Sequence, residues 1–191
     1  SYTDVFNVES SGKRTFFHNR GTNACLDREH FNFDQLDARI FYLAYLMLLD
    51  SLDRVDGDAR TGASYILEEA SRKGMMTVTD LVSLDFSDHI EGILSSLPFV
   101  DVLFVNEIEA GMLTRENLRE DKNIIIEKVL QSAKSLLNSG VRKAVIVHFE
   151  EGACAVESGG EVHLQGSLKL PDGWIKGATG AGDAFASGVL W

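Results

Sequence analysis

The 191-residue chain is poor in proline, cysteine and positive charge, and it has no long apolar run. With two prolines, no Pro-rich linker can be drawn. The two cysteines, Cys25 and Cys154, lie far apart and form no C-x-x-C pair, which argues against a disulfide framework or a zinc site. Free thiols in a reducing cytosol are expected. The longest apolar run is Ile40 to Leu49, well short of the ~20 residues that span a bilayer. The N-terminal stretch lacks the pattern of a signal peptide, so the expected location is cytoplasmic, with no membrane partner. Lys and Arg number 18 against 29 Asp and Glu, giving a net charge of −11 and a pI of about 4.8. Such a balance disfavours nucleic acid as a partner. It leaves room for a small anionic ligand, because backbone N–H groups hold phosphate without net positive charge.

Apolar residues are plentiful. They make up 45% of the chain, enough for a sizeable core. Val5, Phe6 and Val8 lead into a polar turn, Glu9 to Lys13, and Thr15, Phe16 and Phe17 follow. This pattern predicts a β-hairpin. Three aromatics on so short a ribbon imply that one face is covered, by a ligand or a second subunit. "ARIFYLAYLMLLD" predicts a buried strand. Asp58 is placed to N-cap a helix in which Ala63, Ile66, Leu67 and Ala70 fall on one face, with Gly74 as the stop. "MMTVTDLV", "VDVLFVN" and "RKAVIVHF" predict three further strands. Helical spacing separates them at Ile90, Ile93, Leu94 and Leu97, and again over Asp121–Asn138, which Gly140 ends. "ACAVES" and "EVHLQG" flank Gly159 and Gly160 and predict a second hairpin. Strand and helix alternate four times. The expected fold class is α/β: a doubly wound, mostly parallel sheet with helices on both faces, plus a small hairpin lid. Ligands of such sheets sit beyond the carboxyl ends of the strands.

The chain closes on "KGATGAGDAFASGVLW". Gly177 to Asp183 opens a helix, and its small residues allow a backbone to approach a ligand closely. The free N–H groups at the helix start then point at an anion and form an anion hole. The lysine of a Walker A loop is missing. A carboxylate beside an anion hole repels a resting phosphate. Asp183 makes better sense as a base that takes a proton from an attacking hydroxyl. The competing reading is a carboxylate that favours the helix dipole, on a turn built for close packing. In "VNEIEAGMLT", Asn106 ends a strand and Glu109 stands three residues on. Both offer oxygen donors suited to Mg²⁺, directly or through water. The same spacing also reads as a capping box. Asp80, inside a strand pattern, lies near a substrate or simply ends the strand. "DRVDGD" at Asp53 to Asp58 fails the calcium-loop spacing and reads as a solvated loop. The five histidines show no metal spacing.

"TGAGDAFASG" after a hairpin, with "NEIE" upstream, resembles the signatures of ribokinase-like (PfkB) carbohydrate kinases. The opening hairpin resembles the family's sugar-covering lid, and "GTN" at Gly21 to Asn23 its "GAN". The resemblance divides the chain into a lid and return, 1–23, and an α/β nucleotide-binding core, 24–191. It implies transfer of the γ-phosphoryl group of ATP to a sugar hydroxyl. Asp183 would be the base, Gly180, Ala181 and Gly182 the phosphate cradle, and Asn106 and Glu109 the Mg²⁺ environment. Thr179 and His148 would lie near the nucleotide. A homodimer through the lid is expected. Gly177 and Ala178 stand where the family carries an Asp-Thr pair tied to a monovalent cation, which puts that cation in doubt. His148 and Phe149 stand where the family has Thr-x-Gly. The family's first sugar-binding signature and its adenine-enclosing end have no counterpart, so a fragment of a longer kinase is expected. A nucleoside kinase and a non-catalytic binding module are the alternatives.

Overall fold

The computed structural model describes residues 1–8, 14–82, 89–171, 173–175, 177 and 179–191. The turn expected at Glu9 to Lys13, and Lys176 and Ala178 of the glycine-rich segment, lie outside these residues. Strands β1 (Tyr2–Asn7) and β2 (Arg14–Asn19) pair antiparallel as the opening hairpin. The core sheet has six strands in the order β10-β9-β8-β5-β4-β3. They are β3 (Ile40–Leu43), β4 (Met76–Asp80), β5 (Val102–Asn106), β8 (Ala144–Phe149), β9 (Gly152–Glu157) and β10 (Val162–Gly166). The first four run parallel, and β9 and β10 add an antiparallel edge. β6 (Arg119–Glu120) and β7 (Asn123–Ile124) form a separate small ribbon.

The period of two sorts the strands into two faces. Leu103 and Val105 of β5, with Val145 and Val147 of β8, join the main core. Helices α1 (Gly62–Arg72), α2 (Ile90–Ser96), α3 (Glu107–Thr114) and α4 (Ile126–Asn138) cover that face with Ile66, Ile93, Ala110 and Leu136. The alternate residues, Phe104 and Ile146, form a second cluster with Val78, Val102 and Ala186. Ala186 belongs to α5 (Ala181–Leu190), so α5 covers the opposite face. The expected doubly wound α/β sheet is the observed one.

Three expected boundaries move. The strand from the Ile40–Leu49 run ends at Leu43. Its remainder turns back across the sheet end, where Leu46 donates its N–H to the Asp80 carbonyl at 3.2 Å. Leu46 and Leu49 stay buried, so an apolar run marks burial here and extended backbone only in its first half. The α1 cap is Thr61, whose hydroxyl accepts from the Ser64 N–H at 3.1 Å. Asp58 instead sits in a turn in which Asp56 accepts from the N–H groups of Asp58 and Arg60. The helix expected from Asp121 starts at Ile126, because Asp121 takes φ +54° to turn between β6 and β7. No helix among the described residues is long and apolar enough to cross a membrane.

Candidate active site

Four strand ends meet under the hairpin. β4 ends at Asp80, β5 at Asn106 and β8 one residue past His148. The chain leaving β3 brings Tyr45 beside them. A cleft of about 560 Å³ lies between these ends, the start of α5 and the lid. The carboxyl ends of parallel strands open here, where α/β sheets bind ligands.

The hairpin register decides what faces the cleft. Thr3 pairs with His18 and Val5 with Phe16, and these four line the cleft. Tyr2, Phe6 and Phe17 sit on the opposite face. Each is about 60% exposed, and Phe6 packs edge-on against Phe17 at 5.4 Å. The aromatics of the ribbon thus divide, Phe16 inward and Phe6 and Phe17 outward. Asn23, from the "GTN" return, also lines the cleft. Gly21 before it takes φ +49°, and a Cβ there would meet the Ser1 nitrogen at 2.6 Å, so the return needs glycine.

Gly180 is the N-cap of α5 at φ +78°, a backbone that favours glycine. No side chain caps this end, and the first N–H groups of a helix have no intrahelical partner. Thr179, Gly180, Gly182 and Asp183 line the cleft; Ala181, the first helical residue, is exposed and outside the wall. Asp183 accepts a hydrogen bond from the Tyr45 hydroxyl at Oδ1.

Asn106 and Glu109 form a full capping box. Asn106 Oδ1 accepts from the N–H groups of Ile108 and Glu109, both at 2.9 Å. Glu109 accepts from the Asn106 N–H at 2.9 Å and from Asn106 Nδ2 at 2.8 Å. The same two residues line the cleft, and Glu109 is 2% exposed. The cap and the cleft wall are one structure. His148 lies on the other side, its ring 5.6 Å from that of Phe185. Burial holds its pKa below the usual histidine value, so its imidazole is neutral near pH 7.

Asp80 is the residue that the sequence reading left open. It is 4% exposed and lines the cleft. Its Oδ1 accepts from the Leu81 N–H at 2.8 Å, and its Oδ2 from the Tyr42 hydroxyl at 3.3 Å. Burial, then the charge of Glu109, and further on that of Asp183, push its pKa up to about 7. An aspartate at a strand end is a weak sequence signal, because a terminator and a buried site residue look alike. Only the facing carboxylates separate the two.

A pH dependence follows. The folded state raises this pKa, so it holds a proton that the unfolded chain releases near pH 4. Asp80 therefore favours the fold at low pH, and that contribution falls as pH rises from about 4 to about 7. Asp80→Asn removes the cost. Without divalent metal, its melting temperature should exceed that of the unsubstituted protein at pH 8, and the gap should close by pH 5. Parallel melting curves at both pH values would rule this out.

A mostly parallel α/β sheet, a glycine-started helix and carboxylates gathered around a cleft at the strand ends define a doubly wound α/β domain with a hairpin over its cleft. The family is equally clear: the chain belongs to the pfkB family carbohydrate kinases, whose profile matches residues 3–191. It is 24% identical over 179 residues to the adenosine kinase of Dictyostelium discoideum, covering 93% of this chain and 52% of that protein. The ribokinase of Giardia lamblia superposes with a TM-score of 0.68 at 16% identity, over 96% of this chain and 52% of its own. The adenosine kinase of Anopheles gambiae, solved with P1,P4-di(adenosine-5) tetraphosphate, gives 0.64 at 24% identity, over 81% and 44%. These solved structures share the fold. The chain spans about half the length of the relatives it matches.

Proposed function

We propose that the full-length protein transfers the γ-phosphoryl group of ATP to a hydroxyl of a carbohydrate, with Asp183 as the base. One observation carries the reading: the Asp183 carboxylate stands in the first turn of α5, at the wall of a lid-covered cleft, beside the free N–H groups of that helix start. The N–H groups of Gly180 and Gly182, which line the cleft, stabilise charge developing on the transferred group. Asp183 takes the proton of the acceptor hydroxyl as its oxygen attacks phosphorus. The lid excludes water from the acceptor side. Neutral His148 borders the phosphate side with Thr179 and adds no charge there.

The donor set fits Mg²⁺. Glu109 and Asp80 supply carboxylates to the cleft wall, and burial, then the charge of Glu109, raises the pKa of Asp80. Hard oxygen donors and uncompensated negative charge suit this cation. The Asn106 amide oxygen is already taken by two N–H groups, which favours a water between it and the metal. When bound, Mg²⁺ supplies neutralisation of phosphate charge.

A nucleoside acceptor is the second reading. Val5, Phe16, Leu48 and Leu49 give the lid side of the cleft an apolar wall suited to a base, and the adenosine kinase similarity points the same way. Turnover by the full-length protein, with Mg·ATP and a panel of free sugars and nucleosides, tests both. ADP release with a sugar supports the first reading and release with only a nucleoside the second. Release with neither acceptor class rejects both.

The outward aromatics Tyr2, Phe6 and Phe17 are proposed to meet those of a second copy in a cytoplasmic homodimer. Light scattering should give twice the monomer mass, and Phe17→Asp should halve it. A monomeric unsubstituted protein rejects this.

A further inference from the structure

The two oxygens of Asp183 have different surroundings. Oδ1 accepts the hydrogen bond of the Tyr45 hydroxyl. Oδ2 lies on the side of Gly180, 4.0 Å from where a Cβ on that residue would stand. One oxygen is thus engaged from across the cleft, and the other sits beside the helix start.

Tyr45 is itself held on both sides. β3 ends two residues before it. The next residue, Leu46, is buried, and its N–H binds the carbonyl of Asp80 at the end of β4. The turn is tied to the sheet through its backbone and anchored in the core through its side chain. Tyr45 therefore presents its hydroxyl from a rigid floor, while Asp183 stands on a different element. Burial, and then the contact with Asp183, hold the Tyr45 pKa well above the ordinary tyrosine value. The hydroxyl keeps its proton at any pH at which the protein works, and it donates.

We infer that Tyr45 is a positioning residue for Asp183: its hydroxyl holds Oδ1, fixes the rotation of the carboxylate, and leaves Oδ2 toward the helix start for the acceptor hydroxyl. This rests on the reading of Asp183 as the base. A carboxylate on a helix end turns freely about its last bond, and a base works only within hydrogen-bond reach of the proton it takes. A bond from a tethered donor removes that freedom before substrate arrives. No proton passes through Tyr45. The proton leaves the acceptor hydroxyl for Oδ2 while the Tyr45 O–H bond stays intact. Nothing in the sequence marks this role, because Tyr45 falls within an apolar run that reads as core.

Two measurements on the full-length protein test it. The first needs no turnover. With ¹³Cζ-labelled tyrosine, the Tyr45 resonance, identified by its loss in Tyr45→Phe, should move when Asp183 is replaced by alanine. An unmoved resonance overturns the contact. The second uses Mg·ATP and the best acceptor of the panel. Tyr45→Phe should lower kcat roughly tenfold, the worth of one hydrogen bond to a charged group, with the acceptor KM within about twofold. An unchanged kcat overturns the positioning role. A raised KM alone makes Tyr45 a substrate contact and overturns it as well. If the unsubstituted protein turns over no acceptor although the resonance moves, the base reading fails. The tyrosine is then a structural tether, and the proposal falls with the base.

Discussion

Asp183→Ala should reduce kcat of the full-length protein by about a thousandfold or more while leaving its melting temperature within a few degrees of the unsubstituted value. General base catalysis contributes typically 10²- to 10⁴-fold, and the other carboxylates described at the cleft already hold hydrogen bonds of their own. Asp80 binds the Leu81 N–H and the Tyr42 hydroxyl at the end of β4. Glu109 is committed to the cap of α3. The fold should tolerate the change because the Asp183 side chain is exposed, so alanine leaves no core cavity. A carboxylate in the first turn of α5 contributes about 0.3–1 kcal/mol through the helix dipole. Its loss also relieves repulsion with Asp80, which offsets part of that. Rapid-quench measurement of the phosphoryl-transfer step checks the first half and calorimetry the second. Retained turnover rejects Asp183 as the base, and a collapsed melting temperature would mark the residue as structural.

Glu109→Gln should raise the Mg²⁺ concentration needed for half-maximal activity by roughly 10- to 100-fold, the range seen when a group supporting a metal is replaced. The substitution separates two roles that coincide here. As a cap, Glu109 accepts from the Asn106 N–H and from Asn106 Nδ2. Glutamine keeps one amide oxygen for the backbone N–H and loses the second bond, at a cost of about 1 kcal/mol. As a charge beside the cleft, Glu109 favours a divalent cation and raises the pKa of Asp80. Glutamine removes that entirely. A Mg²⁺ titration of activity beside a melting curve distinguishes them. A lowered melting temperature with an unchanged Mg²⁺ requirement would leave Glu109 only the capping role.

Much of this architecture was legible in the sequence. Strands β4, β5 and β8 are buried on both faces, so near-unbroken apolar runs announce them. The hairpin of β9 and β10 follows from alternation around Gly159 and Gly160, and Gly160 indeed takes φ +90°. Asn106 with Glu109 was legible because a capping box demands particular residues at fixed spacing, and the glycine start of α5 because a positive φ favours glycine. Asp80 and Tyr45 were not. Their importance depends on what faces them from elements 138 residues away in one case, where Tyr45 meets Asp183, and from β5's following helix in the other.

Local chemistry accounts for the division. The sequence alone determined the alternation of strand and helix, the lid ribbon, the family, and the residue types able to cradle a phosphate, because each depends on neighbours within a few positions. The tertiary structure decided three further things. It stopped β3 at Leu43, since Leu46 and Leu49 bury equally well in a turn. It divided the lid aromatics between cleft and surface through the pairing register. It gathered Asp80, Glu109 and Asp183 around one cavity, with Tyr45 hydrogen-bonded to Asp183. Charges act through space, and only folding sets those distances.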